Sequence, residues 1–197
     1  EICACLVGSE MCIRDRYMEN EKCTLWIVTE LFPPDETSTA YIMGEIANAF
    51  VDKYQVKVIC GPEIYDKRKR LDQNNKFKLD ASIEIMRANG AGLDKSTFKG
   101  KMLSFLLMSH RLLKLAKMHI KKDDKVLMVT NPAPLVVLMS RLKKVIGFEL
   151  DILVHDIFPE NTIPAGIKLP AYGLLKRLFD KAYSRADKLV VLGRDME

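Results

Sequence analysis

The reading of one stretch decides the fold: Thr24-Leu25-Trp26-Ile27-Val28-Thr29-Glu30-Leu31-Phe32-Pro33-Pro34-Asp35-Glu36-Thr37-Ser38. Thr24 to Thr29 is a short apolar run with the length and branching of a buried strand. A loop stiffened by Pro33 and Pro34 follows, and Thr37, Ser38 or Thr39 can cap a helix that runs to about Lys53. That helix is predicted to bury Ile42, Ile46, Ala49 and Phe50, with Tyr41 and Met43 on its flanks. Gln55 to Cys60 is a second strand, closed by Gly61-Pro62. A helix between two strands is the crossover that parallel pairing requires, so the two strands are predicted to be parallel.

The same alternation continues outward. Ile83 to Arg87 reads as a half-buried strand, Val126 to Thr130 as a fourth, Glu149 to His155 as a fifth and Lys188 to Leu192 as a sixth. Helices are predicted over Lys99 to Lys122, from Asn131-Pro132 to about Ile146, and over Ala171 to Ser184. Asn131 is expected to cap the second of these, with Pro132 at its first helical position. The fold class is therefore α/β: a doubly wound, mostly parallel Rossmann-like sheet with helices on both faces and strand order 3-2-1-4-5-6.

With 197 residues, 48% hydrophobic and 29% charged, the chain has a globular balance and the length of one domain or one and a half. No apolar run approaches the roughly 20 residues that span a membrane. Residues 6–16, Leu6-Val7-Gly8-Ser9-Glu10-Met11-Cys12-Ile13-Arg14-Asp15-Arg16, have neither helix nor strand periodicity and resemble the translation of a transposase-type sequencing adapter. Residues 1–17 are read as a non-native extension, with Met18 as the native start and 18–197 as the domain. Without residues 1–16, which hold Arg14 and Arg16 against Glu1, Glu10 and Asp15, the net charge rises from +5 to +6. Cys3, Cys5 and Cys12 leave with them; the remaining Cys23 and Cys60 suit a reduced cytoplasmic protein better than a disulfide framework or a metal site. Gly193 to Glu197 opens a further turn after the sixth strand, so the sequence reads as a fragment cut before a second domain.

Several chemistries are argued against. The loop after the first strand lacks the glycines that let backbone approach a dinucleotide pyrophosphate. No P-loop lysine motif, nucleophile elbow or metal-spaced His/Cys set is present. What the chain offers is a ring of polar residues at the carboxyl ends of the predicted strands, where open α/β sheets bind ligands. It comprises Glu30, Thr37, Ser38 and Thr39 after the first strand, and Thr130 and Asn131 after the fourth. His155, Asp156, Glu160 and Asn161 follow the fifth, and Arg194 the sixth. Such a ring suits a hydroxyl-rich ligand, because carboxylates and carboxamides take sugar hydroxyls in pairs. The free N–H groups at the start of the first helix suit a phosphate. For Thr37, Ser38 and Asn131 plain helix capping is the simpler reading. For His155 and Asp156 the alternative is a satisfied core histidine and a capped turn.

Four segments together resemble the N-terminal domain of family-4 glycosyltransferases of the two-Rossmann-domain GT-B type, in particular the bacterial N-acetylfucosaminyltransferase-like enzymes of surface-polysaccharide synthesis. They are Leu31-Phe32-Pro33-Pro34-Asp35 with Ala40-Tyr41, Thr130-Asn131-Pro132-Ala133-Pro134, His155-Asp156-Ile157-Phe158-Pro159-Glu160, and Arg185 to Gly193. The resemblance implies transfer of a sugar from a nucleotide-diphosphate donor to a saccharide or lipid-linked acceptor, with retention and without a bound metal. The nucleotide sugar is then a co-substrate and no cofactor is expected. It further implies that His155 approaches the transferred sugar, and that Asp156 and Glu160 shape the acceptor side. Many members carry a Gly-Gly pair in the first loop; here Thr37-Ser38-Thr39-Ala40 stands instead, which weighs against backbone cradling of phosphate. The donor domain falls outside the sequence, so this fragment alone is not expected to catalyse. A non-catalytic Rossmann-like ligand-binding module is the alternative.

The long helix is predicted to be apolar at Met102, Leu103, Phe105, Leu106, Leu107, Leu113 and Leu115, with Arg111, Lys114, Lys117 and Lys121 sharing one face. With Lys67 to Arg70, this charge suggests peripheral contact with an anionic inner membrane surface, at about 1 kcal/mol per close cation. The alternative is a solvated helix face. Nucleic acid is not expected as a partner, since aromatic residues are not interleaved with the charge.

Overall fold

In a computed structural model of the chain, six parallel strands form one sheet in the order β3-β2-β1-β4-β5-β6. The structure describes residues 22–63, 77–90, 98–164, 166 and 169–191. The strands are β1 (Thr24–Val28), β2 (Gln55–Cys60), β3 (Glu84–Arg87), β4 (Lys125–Val129), β5 (Glu149–Val154) and β6 (Lys188–Val191). The helices are α1 (Ser38–Phe50), α2 (Phe98–His119), α3 (Ala133–Ile146) and α4 (Tyr172–Tyr183). Strand order and class are those expected from the alternation of apolar runs and helical patterns. The adapter-like residues 6–16, Met18, the basic run 67–70 and residues 192–197, Arg194 among them, lie outside the described residues.

The strands are apolar on both faces because both faces are covered. On one face Trp26, Val28, Val126, Met128, Leu150 and Ile152 pack under α2, α3 and α4, with Leu112, Leu135, Met139 and Phe179 facing them. On the other, Leu25, Ile27, Val56, Val58, Val129 and Leu153 pack with Met43 and Ala47 of α1 and with Phe32. Among the described residues α1 is the helix on this second face, which is thinner over β5 and β6. A cavity of about 350 Å³ opens there, lined by Leu25, Ile46, Phe50, Leu127, Asp151 and Lys188 among others.

Two helices bury a different stripe from the one their large apolar residues suggest. α1 turns Ala40, Met43, Gly44 and Ala47 inward, and Ala49 is exposed. Small residues let the helix approach closely: a Cβ on Gly44 would come within 2.6 Å of the Phe77 ring and 2.8 Å of Pro33. α2 buries Ser104, Met108, Ser109, Leu112 and Ala116, an i, i+4 row that fits against α3, while Met102, Leu103 and Leu106 face solvent. The Ser109 hydroxyl donates to the Phe105 carbonyl at 2.7 Å, so it can be buried without an unmet hydrogen bond.

The segment before β6 is structural. Asp187 accepts from Lys143 Nζ (2.5 Å) and from Leu150 N (2.6 Å), and its own N–H donates to Leu150 O (2.8 Å). Burial raises the Asp187 carboxyl, but these two donors outweigh it and hold the group below its ordinary value. The Arg185-Ala186-Asp187 turn thereby ties β6 to the start of β5 and to α3.

Candidate functional site

The connectivity places the site. From β1 the chain winds one way to β2 and β3; from β4 it winds the other way to β5 and β6. The two windings part between β1 and β4, the kind of switch point outside whose carboxyl ends open α/β sheets bind ligands. The loops after β1, β4 and β5 therefore share one edge. Each contains a cis X–Pro peptide: Pro33-Pro34, Asn131-Pro132 and Phe158-Pro159.

The β1 exit carries Glu30, 2% exposed, directly beside the β2 exit, where Gly61 N donates to Glu30 O at 3.0 Å. A Cβ at position 61 would stand 2.5 Å from that oxygen, so only glycine permits this contact. Arg87, at the end of β3, reaches across both loops. Its guanidinium donates to Pro33 O (2.5 Å) and Gly61 O (3.5 Å) and pairs with Glu63 at 3.8 Å. Sequence reasoning saw Arg87 only as the last residue of an alternating strand; nothing local marks a side chain that clamps a loop 54 residues earlier. Cys60 lies under this clamp, and burial pushes its thiol up to about 11, which leaves no thiolate for nucleophilic chemistry.

Thr37 caps α1, its Oγ1 accepting from Ala40 N at 3.2 Å. Ser38 is exposed and Thr39 half-buried in the first turn of that helix. At the β4 exit the helix start is displaced by one residue from the expected one. Pro132 is the cap and Ala133 the first helical residue, because the first turn closes on the Pro132 carbonyl, which accepts from Leu135 N at 3.0 Å. Asn131, half-buried, is thus not the cap.

Thr130 joins the β4 and β5 exits. It is 5% exposed, and its Oγ1 accepts from His155 N (3.2 Å) and from Asp156 N (3.3 Å). One hydroxyl thus fixes the backbone where β5 turns out of the sheet. Thr130→Val keeps the shape but leaves two amides without their acceptor. It is expected to lower stability by about 1–3 kcal/mol, read as a lower midpoint in urea; an unchanged midpoint would show that the hydroxyl does not hold this turn.

His155 is half-buried and its Nε2 is enclosed without a hydrogen-bond partner. Burial lowers its pKa and the neighbouring Asp156 opposes this only in part, so the imidazole is neutral at pH 7. Asp156 and Asn161 are exposed. Glu160 opens a short 3-10 turn (Glu160–Thr162) and is ion-paired with Lys176 of α4, which also reaches Asp180 at 3.2 Å. The Glu160 carboxylate is therefore engaged by the protein, and Lys176 is a neighbour that sequence spacing did not reveal. Behind the loop, burial pushes the Tyr183 phenol up to about 12.

The structure thus brings Glu30, Thr37, Ser38, Thr39, Thr130, Asn131, His155, Asp156, Glu160 and Asn161 to the carboxyl edge of one sheet. The cavity beside α1 includes none of them. Among the described residues no cluster of His, Cys, Asp and Glu is arranged to hold a metal ion, and no helix is long and apolar enough to cross a membrane. No family model matches the chain. Among curated proteins the chain is similar to "Probable glycosyltransferase WbjE" of Pseudomonas aeruginosa, at 51% identity over 80 residues. That match covers 39% of this chain and 20% of the relative, so the shared segment is about a fifth of the relative's length.

Proposed function

We propose that the chain is the acceptor-side, N-terminal domain of a retaining glycosyltransferase of the family-4, GT-B kind, with residues 18–197 as its native part. Its reaction is transfer of a sugar from a nucleotide-diphosphate sugar to a saccharide or lipid-linked acceptor, in cytoplasmic synthesis of a surface polysaccharide. The observation that carries this reading is the 51% identity over 80 residues to a protein named as a glycosyltransferase. The polar edge supports it. In this reading the neutral, half-buried His155 stands beside the sugar in transfer, while Asp156, exposed, receives acceptor hydroxyls. Glu160, held by Lys176, with Asn161, Asn131 and Thr130, borders the acceptor side. Glu30 and Thr37 to Thr39 line a crevice towards a second domain that brings the donor.

The test uses the full-length protein. Incubated with a panel of nucleotide sugars and saccharide acceptors, it is expected to release nucleoside diphosphate only when an acceptor is present. Residues 18–197 alone are expected to release none. Binding of a nucleotide sugar by the full-length protein with no acceptor-dependent release under any pairing would replace the reading with that of a non-catalytic ligand-binding module.

A further inference from the structure

One stripe of α4 is turned to the β5 exit. Lys176, Phe179, Asp180 and Tyr183 follow the spacing i, i+3, i+4, i+7, which is a single side of a helix. Lys176 is ion-paired with Glu160, and the Phe179 ring lies 4.8 Å from that of Phe158. The Tyr183 ring is 6.3 Å from Phe179. Its phenol is raised chiefly by burial, and the Glu160 and Asp156 carboxylates raise it further. Both acids of the loop therefore lie near one hydroxyl of α4. Asp180 joins the group through Lys176, at 3.2 Å.

The loop after β5 thus has three anchors. Thr130 holds the backbone of His155 and Asp156 at its start, Phe179 packs on Phe158 in its middle, and Lys176 pairs with Glu160 at its end. Of the three, Lys176 is the one that grips a polar side chain of the candidate site. Its Nζ donates to Glu160 Oε1, and among the described residues Oε2 accepts no bond. Asp180 alone would hold the ammonium weakly, because a lysine placed before its acid is the poorer order for an i, i+4 pair. The Lys176 and Glu160 side chains are 44% and 33% exposed. A pair so open to water adds little to stability, since fixing two long side chains offsets most of their attraction. What such a pair does provide is a glutamate whose rotamer is already set.

We propose that Lys176 is a positioning residue for the acceptor side of the site: it holds Glu160 by Oε1 and so keeps Oε2 set, before any ligand arrives, to accept one saccharide hydroxyl. A glutamate with free rotamers would have to be ordered on binding, and that ordering would weaken its grip on the acceptor. Glu160 accepts through a single oxygen, whereas a carboxylate that the protein leaves unengaged can take two hydroxyls. Lys176 does not touch the acceptor; it acts through Glu160. The hydroxyl contact rests on the glycosyl-transfer reading, and the brace on the loop does not.

Two measurements separate the brace from the reaction. In the full chain, proton–nitrogen NMR follows the backbone amides of Asp156, Glu160 and Asn161. Lys176→Met is expected to shift them, and Lys176→Arg, which keeps the charge and the reach, to leave them in place. Amides that stay put in Lys176→Met would overturn the proposal, whatever the protein transfers. In the full-length protein, Lys176→Met is expected to raise KM for the acceptor about two- to tenfold, with kcat and KM for the donor unchanged. Lys176→Arg should restore it. In a Glu160→Gln background Lys176→Met should add nothing; a further rise would mean that Lys176 acts on the ligand directly and would sink the proposal. Lys181→Gln removes the same charge from an exposed position of the same helix and should leave KM as it is. Melting temperatures should not move. A lower melting temperature in Lys176→Met, with kcat falling and KM constant, would reduce the pair to plain architecture and overturn the proposal. A full-length protein that transfers to no acceptor, with the amides moving as expected, overturns the reaction and leaves the brace standing.

Discussion

Leu112→Ala is expected to destabilise the fold by about 2–5 kcal/mol, whereas Leu103→Ala and Leu106→Ala should each change stability by less than about 0.5 kcal/mol. The three residues share a helix and a side chain and differ only in the direction they face. Leu112 is fully buried between α2, α3 and the sheet, so its removal strips packed carbon from the larger core and leaves a cavity. Leu103 and Leu106 lose little, having half their surface in water already. In a chain of this size the Leu112 change corresponds to a fall in melting temperature of roughly 4–20 °C. Thermal melts of the three variants decide between the two stripes. Comparable losses at all three positions would mean that α2 is rotated from the orientation described, and the apolar patch at its outer face would vanish with it.

The second large effect is at the β5 exit. His155→Ala in the full-length protein is expected to lower kcat/KM for transfer by about 10²–10³-fold, the usual loss for one well-placed polar group at a reacting centre. Asp156→Ala is expected to act mainly by raising KM for the acceptor. Turnover near the unmodified level in both variants would remove these residues from the proposed site. The pH profile has a definite sign. His155 is held below its ordinary pKa by burial, so its neutral form persists through pH 7 and transfer should be flat down to the ordinary imidazole value of about 6.5 and fall only beneath it. Stability follows the same direction. The unfolded imidazole takes its proton before the folded one, so stability present above about pH 6.5 is lost as the pH drops towards the folded pKa. His155→Gln should remove that acid sensitivity, and a rise in transfer on acidification through neutrality would contradict a neutral His155.

What could be read in the sequence follows from what repeats in it. Parallel strands buried on both faces must be continuous apolar runs, and Leu25 to Val28, Val126 to Val129 and Ile152 to Val154 show this plainly. Their alternation with helices makes the sheet parallel, and in a parallel sheet every loop that follows a strand leaves from the same edge. That is why the sequence alone groups His155, Asp156, Thr130 and Glu30. Helix faces were less legible. In α1 and α2 the sheet and the neighbouring helices select the stripe that allows close approach, Ala40-Gly44-Ala47 and Ser104-Met108-Leu112-Ala116, over the stripe with the most Leu and Met. Long-range clamps left no local signal. The Arg87 reach to Pro33 and the Lys176 pair with Glu160 each depend on side chains brought together by strands and helices far apart in sequence. Asp187 lay within a segment that the family resemblance had marked, yet its carboxylate is spent on Lys143 and Leu150, which is architecture and not ligand chemistry.

The two outermost strands, finally, end the sheet in unlike ways. At β3, Glu84 is paired with Lys57 at 3.0 Å and Arg87 is turned inward to its clamp, so that Ile85 is the single apolar residue left outward on a four-residue strand. At β6, the last strand of the described sheet, Lys188 guards only the first position, near Glu149 and Asp151, and Leu189 and Val190 are 49% and 46% exposed. A neighbouring β-strand, from a partner or from a misfolded copy, therefore finds its template at β6. Among the described residues β6 is thus the less guarded of the two edges, and a charge at Leu189 or Val190 is the change that would blunt strand addition there most.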